Sequence, residues 1–210
     1  MFDLALAKQA RDLCKASYLP ALPEGAVPFF MPDGQRRGYF VEIDGVLNRV
    51  WAGSSSMFDW MKDAEARPNS AGVHTGAFEV WLASLSSMLN VRDQYPHEIK
   101  ARDIGHSLGG GLAEIAYCRG ASALPPITFE AMRVLTKART AIVPSHDGMR
   151  FVNELDIVPH LPGRSGLWQY AHRPLAYRTC GDSVIPHEAH SLNVWDTAFD
   201  RELEGPIPLE

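Results

Sequence analysis

The sequence predicts a single α/β domain over residues 1–210, and three observations carry that expectation. Short runs rich in β-branched and aromatic residues alternate with segments of helical apolar spacing. Of the 210 residues, 46% are hydrophobic, which is enough to bury a full core. No repeat, low-complexity tract or linker-like composition divides the chain.

The elements can be taken in order. The opening stretch MFDLALAKQARDLCKASYLP sets Leu4, Leu6, Ala7, Ala10, Leu13 and Cys14 at helical spacing, so it reads as an amphipathic helix. It lacks the basic n-region and small-residue cleavage site of a secretory signal. A cytoplasmic location is therefore expected, although a trimmed secreted chain gives the same pattern. GYFVEIDGVLNRVWAG carries Asp44-Gly45 between two β-rich runs, the strongest short-range signal for a hairpin. SSSMFDWMKDAEARPNSAG is polar with a bulky apolar patch. GAFEVWLASLSSMLNVRDQYP predicts a second helix, with Phe78, Trp81, Leu82, Leu85, Met88 and Leu89 at helical spacing. HEIKARDI is a short segment leading into a glycine-rich turn and a third helix. PPITFEAMRV, TAIVPS and RFVNELDIV read as further short strands or loops bounded by turn residues.

Several function classes are excluded early. The net charge is −5 with scattered basic residues, so no electrostatic footprint for nucleic acid or an anionic membrane appears. No apolar run approaches the roughly 18 residues a membrane span needs. Cys14, Cys118 and Cys180 are odd in number and far apart, which favours free thiols over a disulfide or a metal site. Neither a G-x-G-x-x-G run nor a phosphate-loop lysine is present, so a nucleotide cradle is not expected.

The informative stretch is GHSLGGGLAEIAYC, which fits G-x-S-x-G. In that motif a sharp strand-to-helix turn lifts the serine hydroxyl clear of its neighbours. The flanking glycines avoid Cβ clashes in so tight a bend. The following helix points its free N–H groups and its dipole at Ser107, which favours negative charge there. A serine hydroxyl needs a base to take its proton, and the base needs an acid to hold its tautomer. With this turn the chain order is serine, acid, histidine. Asp156 follows the apolar run of RFVNELDIVPHLP, where a strand ends and its loop begins. His106 adjoins the nucleophile and points elsewhere, and His160 is too close to Asp156 to come from a separate later loop. Spacing leaves His172, His187 and His190 open.

WAGSSSMFDWMKD, VHTGAF, GHSLGGGLAEIAY, NELDIVPHLP and HSLNVW occur in the order seen in class 3 lipases, and ITFEAMRV resembles that family's T-F-G-x-P-R-V. Across roughly residues 39–195 the chain resembles the fungal-type triacylglycerol lipases. The resemblance implies an α/β-hydrolase fold, with a central, mostly parallel sheet flanked by helices. It implies a catalytic triad of Ser107, Asp156 and His190, because His190 fits the family's H-S-x-x-x-[YW] ending. His187 is kept as the second candidate. It also implies an oxyanion hole from Ser54, at the position of R-G-[ST], and the backbone N–H of Leu108. His74 is expected to be structural.

The implied activity is carboxylic-ester hydrolysis through an acyl-enzyme, with no metal or cofactor. The expected partner is an acyl ester or lipid, of short to medium chain length, with transient contact at a lipid interface. The alternatives are a feruloyl-type or phospholipid-cleaving esterase, or a non-catalytic acyl-binding relative. Met57, Phe58, Trp60 and Met61 fall where the family has its lid. Three departures stand out: Ala52 replaces an arginine, FEAM replaces FGxP, and Arg102 and Asp103 interrupt what is normally a continuous apolar strand. Those two charges must be paired or lie at an exposed strand end.

Overall fold

Asp44 and Gly45 both adopt positive φ, 51° and 73°, and turn β2 (Arg36–Ile43) back on β3 (Val46–Trp51) as an antiparallel hairpin. This is the turn chemistry that a right-twisted hairpin requires. The computed structural model describes residues 2–54, 67–142, 148–162, 169–172 and 176–201, with the backbone of 204–207. The patch at Met57, Phe58, Trp60 and Met61 lies outside the described residues.

Around the hairpin the chain alternates as expected. It forms α1 (Leu4–Ser17) and β1 (Val27–Phe30) before the hairpin, then α2 (Thr75–Arg92), β4 (Ala101–His106), α3 (Leu108–Cys118) and β5 (Leu124–Phe129). There follow β6 (Leu135–Thr136), α4 (Lys137–Ile142), β7 (Met149–Asn153), a 3-10 turn (Val158–His160), β8 (Tyr170–Ala171) and β9 (Ala176–Thr179). The last elements are α5 (Pro186–Ala189), α6 (Val194–Ala198) and β10 (Glu204–Ile207). An eight-stranded sheet runs in the order β1-β2-β3-β4-β5-β7-β9-β10. The strands from β3 to β9 pair in parallel and the outer pairs are antiparallel. This is the mostly parallel, helix-flanked sheet of an α/β-hydrolase fold. No helix among the described residues is long and apolar enough to cross a membrane.

Strand alternation divides the core into two layers. Phe40, Leu47 and Trp51 pack with α2 and α3 on one face, while Tyr39, Val50, Ile104 and Phe129 pack with α1 and α6 on the other. On α1 the buried stripe is Ala7, Ala10, Leu13 and Cys14, as the spacing predicts. On α2 the spacing is right, but the apolar face is narrower than the sequence suggests. Ala77, Trp81, Ser84, Met88 and Val91 are buried, whereas Leu82 and Leu89 are about half exposed. One helix side meets the sheet, and residues beyond its rim stay wet whatever their polarity. TAIVPS also departs from expectation: Thr140–Ile142 end the short helix α4 and carry no strand. Cys14, Cys118 and Cys180 are all free thiols.

The two charges in β4 are resolved differently. Asp103 is fully buried and takes a bidentate pair from Arg49 of β3, Nε to Oδ1 at 2.6 Å and Nη2 to Oδ2 at 2.8 Å. The Trp51 indole donates to Oδ1 at 2.7 Å, and the Ser122 hydroxyl donates to Oδ2. Arg49 is 2% exposed and also stacks over the rings of Trp51 and Phe40. Arg102 is only half-buried. A buried pair contributes little beyond an apolar substitute, but breaking it strands one charge. Asp103→Ala is therefore expected to cost about 3–5 kcal/mol, and Arg49→Met/Asp103→Leu to recover most of that loss. Urea unfolding midpoints at constant slope check this, and a single variant within about 1 kcal/mol of wild type contradicts it.

His74 is structural, as expected. It caps α2, accepting the Ala77 N–H at Nδ1 (3.3 Å), and its own N–H donates to the Val134 carbonyl at 2.8 Å. Burial lowers its pKa to about 4. The unfolded chain binds a proton near pH 6.5 that the folded imidazole refuses, so stability is lost as pH falls from about 6.5 to about 4. Burial lowers His106 and His172 as well, in the same direction. His74→Asn keeps a capping side chain without the titration. It is expected to remove on the order of 2 kcal/mol of that acid decline, read from urea unfolding at pH 7 and 4.5. An unchanged slope contradicts the assignment.

Candidate active site

The site begins where β4 stops. Ser107 sits between β4 and α3 at φ 63°, ψ −128°, a sparsely populated positive-φ conformation that costs a non-glycine residue about 1–3 kcal/mol. The glycines around it are required by contact. A Cβ on Gly105 would overlap the backbone of Gly109, and one on Gly109 would overlap the carbonyl of Trp51. The Ser107 N–H donates to the Phe129 carbonyl at 2.9 Å, and its own carbonyl accepts from Gly111 and Met132. Every residue of α3 from Leu108 to Ala116 is buried. The helix is thereby fixed on both sides with its first turn at the serine.

Asp156 and His190 come from two loops that one side chain ties together. Asn153, the last residue of β7, donates from Nδ2 to the Ala189 carbonyl at 2.8 Å and accepts the Gly181 N–H at Oδ1. Its carbonyl accepts the Asp156 N–H at 3.0 Å. Asp156 is 1% exposed, takes the Val158 N–H at Oδ1 (3.0 Å), and meets His190 Nδ1 at Oδ2 (2.5 Å). A carboxylate can only accept here, so Nδ1 carries the proton and the Nε2 lone pair is left as the basic site. That Nε2 is buried and has no hydrogen-bond partner among the described residues.

The other histidines are placed elsewhere. His187 is exposed on α5, one turn before His190. His172 is half-buried and bonded through Nε2 to the Pro159 carbonyl at 2.6 Å. His160 is exposed at the end of the 3-10 turn.

His106 does not point away from the site as the sequence suggests. Its ring lies 4.6 Å from that of His190, and its Nε2 is 2.9 Å from the His190 carbonyl. A carbonyl only accepts, so Nε2 bears the hydrogen and Nδ1 receives the Tyr18 hydroxyl at 2.7 Å. Burial, and the nearness of His190, hold His106 neutral by pushing its pKa well below the usual range. The Tyr18 oxygen in turn accepts the Gly53 N–H. One chain of bonds therefore runs from the loop holding Ser54 to the backbone of His190.

Ser54 is half-buried, and a Cβ on Gly53 would come within 3.2 Å of the Ser107 Cβ. That close approach sets the 52–54 loop against the elbow. Leu108, 1% exposed, opens α3, where first-turn N–H groups have no intrahelical acceptor. Ala52, in place of the arginine, is buried at 6%. In FEAM, Glu130 adopts φ 47° and is fully buried, its carboxyl group accepting from the Asn153 N–H and the Trp195 indole. Sequence reasoning marked FEAM only as a departure. It assigns nothing to Asn153, which opens NELD, or to Trp195, which closes HSLNVW, and no local signal marks Tyr18. Among the described residues no cluster of His, Cys, Asp or Glu is arranged to hold a metal.

The family model "Lipase (class 3)" matches residues 49–166. Among solved structures, the chain is similar to a Rhizomucor miehei lipase in complex with its propeptide, with 22% identity over 83% of this chain and 67% of that one and a TM-score of 0.62. It is similar to lipase II from Rhizopus niveus, with 18% identity over 87% and 84% of the two chains and a TM-score of 0.69. It is also similar to a triacylglycerol lipase from Penicillium expansum, with 18% identity over 85% and 81% and a TM-score of 0.63. No curated protein matches the chain significantly. The family match spans more than half of the 210 residues, and the chain belongs to the class 3 lipases, carboxylic-ester hydrolases of the α/β-hydrolase fold.

Proposed function

We propose that Ser107, His190 and Asp156 hydrolyse acyl esters through an acyl-enzyme. The observations that carry this reading are the 2.5 Å contact of His190 Nδ1 with the buried Asp156 carboxylate and the positive-φ strand-to-helix turn that presents Ser107. Ser107 Oγ attacks the ester carbonyl while His190 Nε2 takes its proton, and Asp156 stabilises the imidazolium so formed. The developing oxyanion is held by the N–H groups of Ser54 and Leu108, with the Ser54 hydroxyl beside them. His190 then protonates the departing alcohol. Water repeats the cycle on the acyl-enzyme, releasing the acid and restoring Ser107.

Labelling by an organophosphonate probe tests the nucleophile, and its adduct is expected on Ser107. Ser107→Ala is expected to lower ester hydrolysis by roughly 10⁴-fold or more with little change in melting temperature. His190→Ala and Asp156→Asn are expected to be severely impaired, and His187→Ala to retain activity. Residual activity of Ser107→Ala within tenfold of wild type, or a dead His187→Ala beside an active His190→Ala, overturns the assignment.

The substrate class proposed is short- and medium-chain acyl esters. The packing at the elbow supports it, because the Gly53 backbone and the Met132 N–H both lie against Ser107. A chain-length series of nitrophenyl esters, run beside an emulsified triglyceride, is expected to peak at short to medium acyl chains. A preference for long chains contradicts it.

A further inference from the structure

We propose that Glu130 is a positioning residue for ester hydrolysis: its carboxyl is kept as the neutral acid and donates a hydrogen bond to the Asp156 carboxylate, setting how tightly Asp156 holds His190. The inference rests on the triad proposed above. Glu130 follows β5 and is fully buried. The Asn153 N–H reaches both of its carboxyl oxygens, at 2.9 and 3.0 Å, and the Trp195 indole reaches Oε1 at 3.0 Å. Its carboxyl also meets that of Asp156, to which it is hydrogen-bonded side chain to side chain. Two carboxylates have no proton to share, so one member of this pair must be the acid.

The surroundings decide which. Asp156 faces the imidazole of His190 and the Val158 N–H, and it must stay anionic to stabilise the imidazolium. Glu130 is fully buried, and burial together with the Asp156 charge pushes its carboxyl well above the usual range. The charged groups that face Glu130 are Asp156 in the loop after β7 and Arg150 on β7, with His190 beyond Asp156. Arg150 also faces the Glu114 carboxyl and is not given over to Glu130. The residue also holds φ 47°, where glycine is the unstrained choice. Its side chain is therefore retained against a backbone cost, and its bonds connect the end of β7, the residue Asp156 and Trp195 of α6.

The consequence is electronic as well as steric. An O–H donated to Asp156 draws negative charge away from the edge facing His190. The imidazolium is then held less tightly and gives up its proton to the leaving alcohol more readily. Without the donor, Asp156 turns its full charge on His190 and the imidazolium becomes harder to deprotonate.

Two variants separate this from a merely structural role. Glu130→Gln keeps a donor toward Asp156 and an acceptor for Asn153 and Trp195. Glu130→Gly removes the side chain while relieving the left-handed backbone. Glu130→Gln is expected to keep kcat and the acid limb of the kcat/KM profile close to wild type. Glu130→Gly is expected to lose about 10- to 100-fold in kcat with KM little changed, and its acid limb is expected to move to higher pH. In the resting protein at neutral pH, infrared difference spectra of wild type minus Glu130→Gln are expected to show the C=O stretch of a protonated carboxylic acid. Absence of that band, a Glu130→Gln as impaired as Glu130→Gly, or a Glu130→Gly with wild-type kcat and pH profile overturns the proposal. The infrared band is read without turnover. A failure of the Ser107 variants to lose activity would therefore overturn the triad and leave the protonation of Glu130 separately decided.

Discussion

The positive-φ backbone at Ser107 is the constraint around which the sheet and helices are arranged. A serine at φ 63° can exist only where the neighbours on both sides give way, and here they do so through missing Cβ atoms. Gly105 lets the first turn of α3 fold back on β4, and Gly109 lets the same turn lie against the carbonyl of Trp51 in β3. Helix, central strand and neighbouring strand are thus brought closer than side chains would allow. The strain at one residue is offset by packing over many, since α3 is buried along nearly its whole length.

That arrangement explains why charge is admitted to the strand leading into the turn. β4 is central and parallel on both sides, a position usually filled by apolar residues. Asp103 is tolerated because its two oxygens are met by a guanidinium, an indole and a hydroxyl. The bond network spans β3, β4 and the segment after α3, so it fixes the strand from which the elbow projects. A buried pair of this kind adds little net stability over an apolar pair. It does, however, penalise any shift in register between β3 and β4.

On the other side of the elbow, electrostatics are arranged in a graded series. His106 is kept neutral between Tyr18 and the His190 carbonyl, and so adds no positive charge beside the imidazole. Asp156 accepts from His190 and the Val158 N–H, and the fully buried Glu130 meets it side chain to side chain. Asn153 binds the strand end, the acid loop and α5 with one side chain and its backbone. The geometry of Asp156 and His190 is therefore set by their supports more than by their own loops.

What the sequence determined by itself was local. The Asp44-Gly45 hairpin, the helix at α1 and the strand–serine–helix turn follow from turn chemistry and periodicity, each of which acts within a few residues. Even there the limit shows: Leu82 and Leu89 fit the helical spacing of α2, but only docking on the sheet decides how wide the buried face is. The resemblance to class 3 lipases supplied the order of the blocks, and spacing alone left three histidines open. The tertiary structure decided the rest: that His190 meets Asp156 across 34 residues, that Arg49 meets Asp103 across 54, and that Tyr18 meets His106 across 88. It also decided that a glutamate in an unremarkable turn lies against Asp156. Such pairings leave no trace in local pattern, because each joins elements that lie far apart in the chain and meet only when the sheet and its helices pack. A charge in a strand tells only that a partner is needed, and the fold alone says which partner it is.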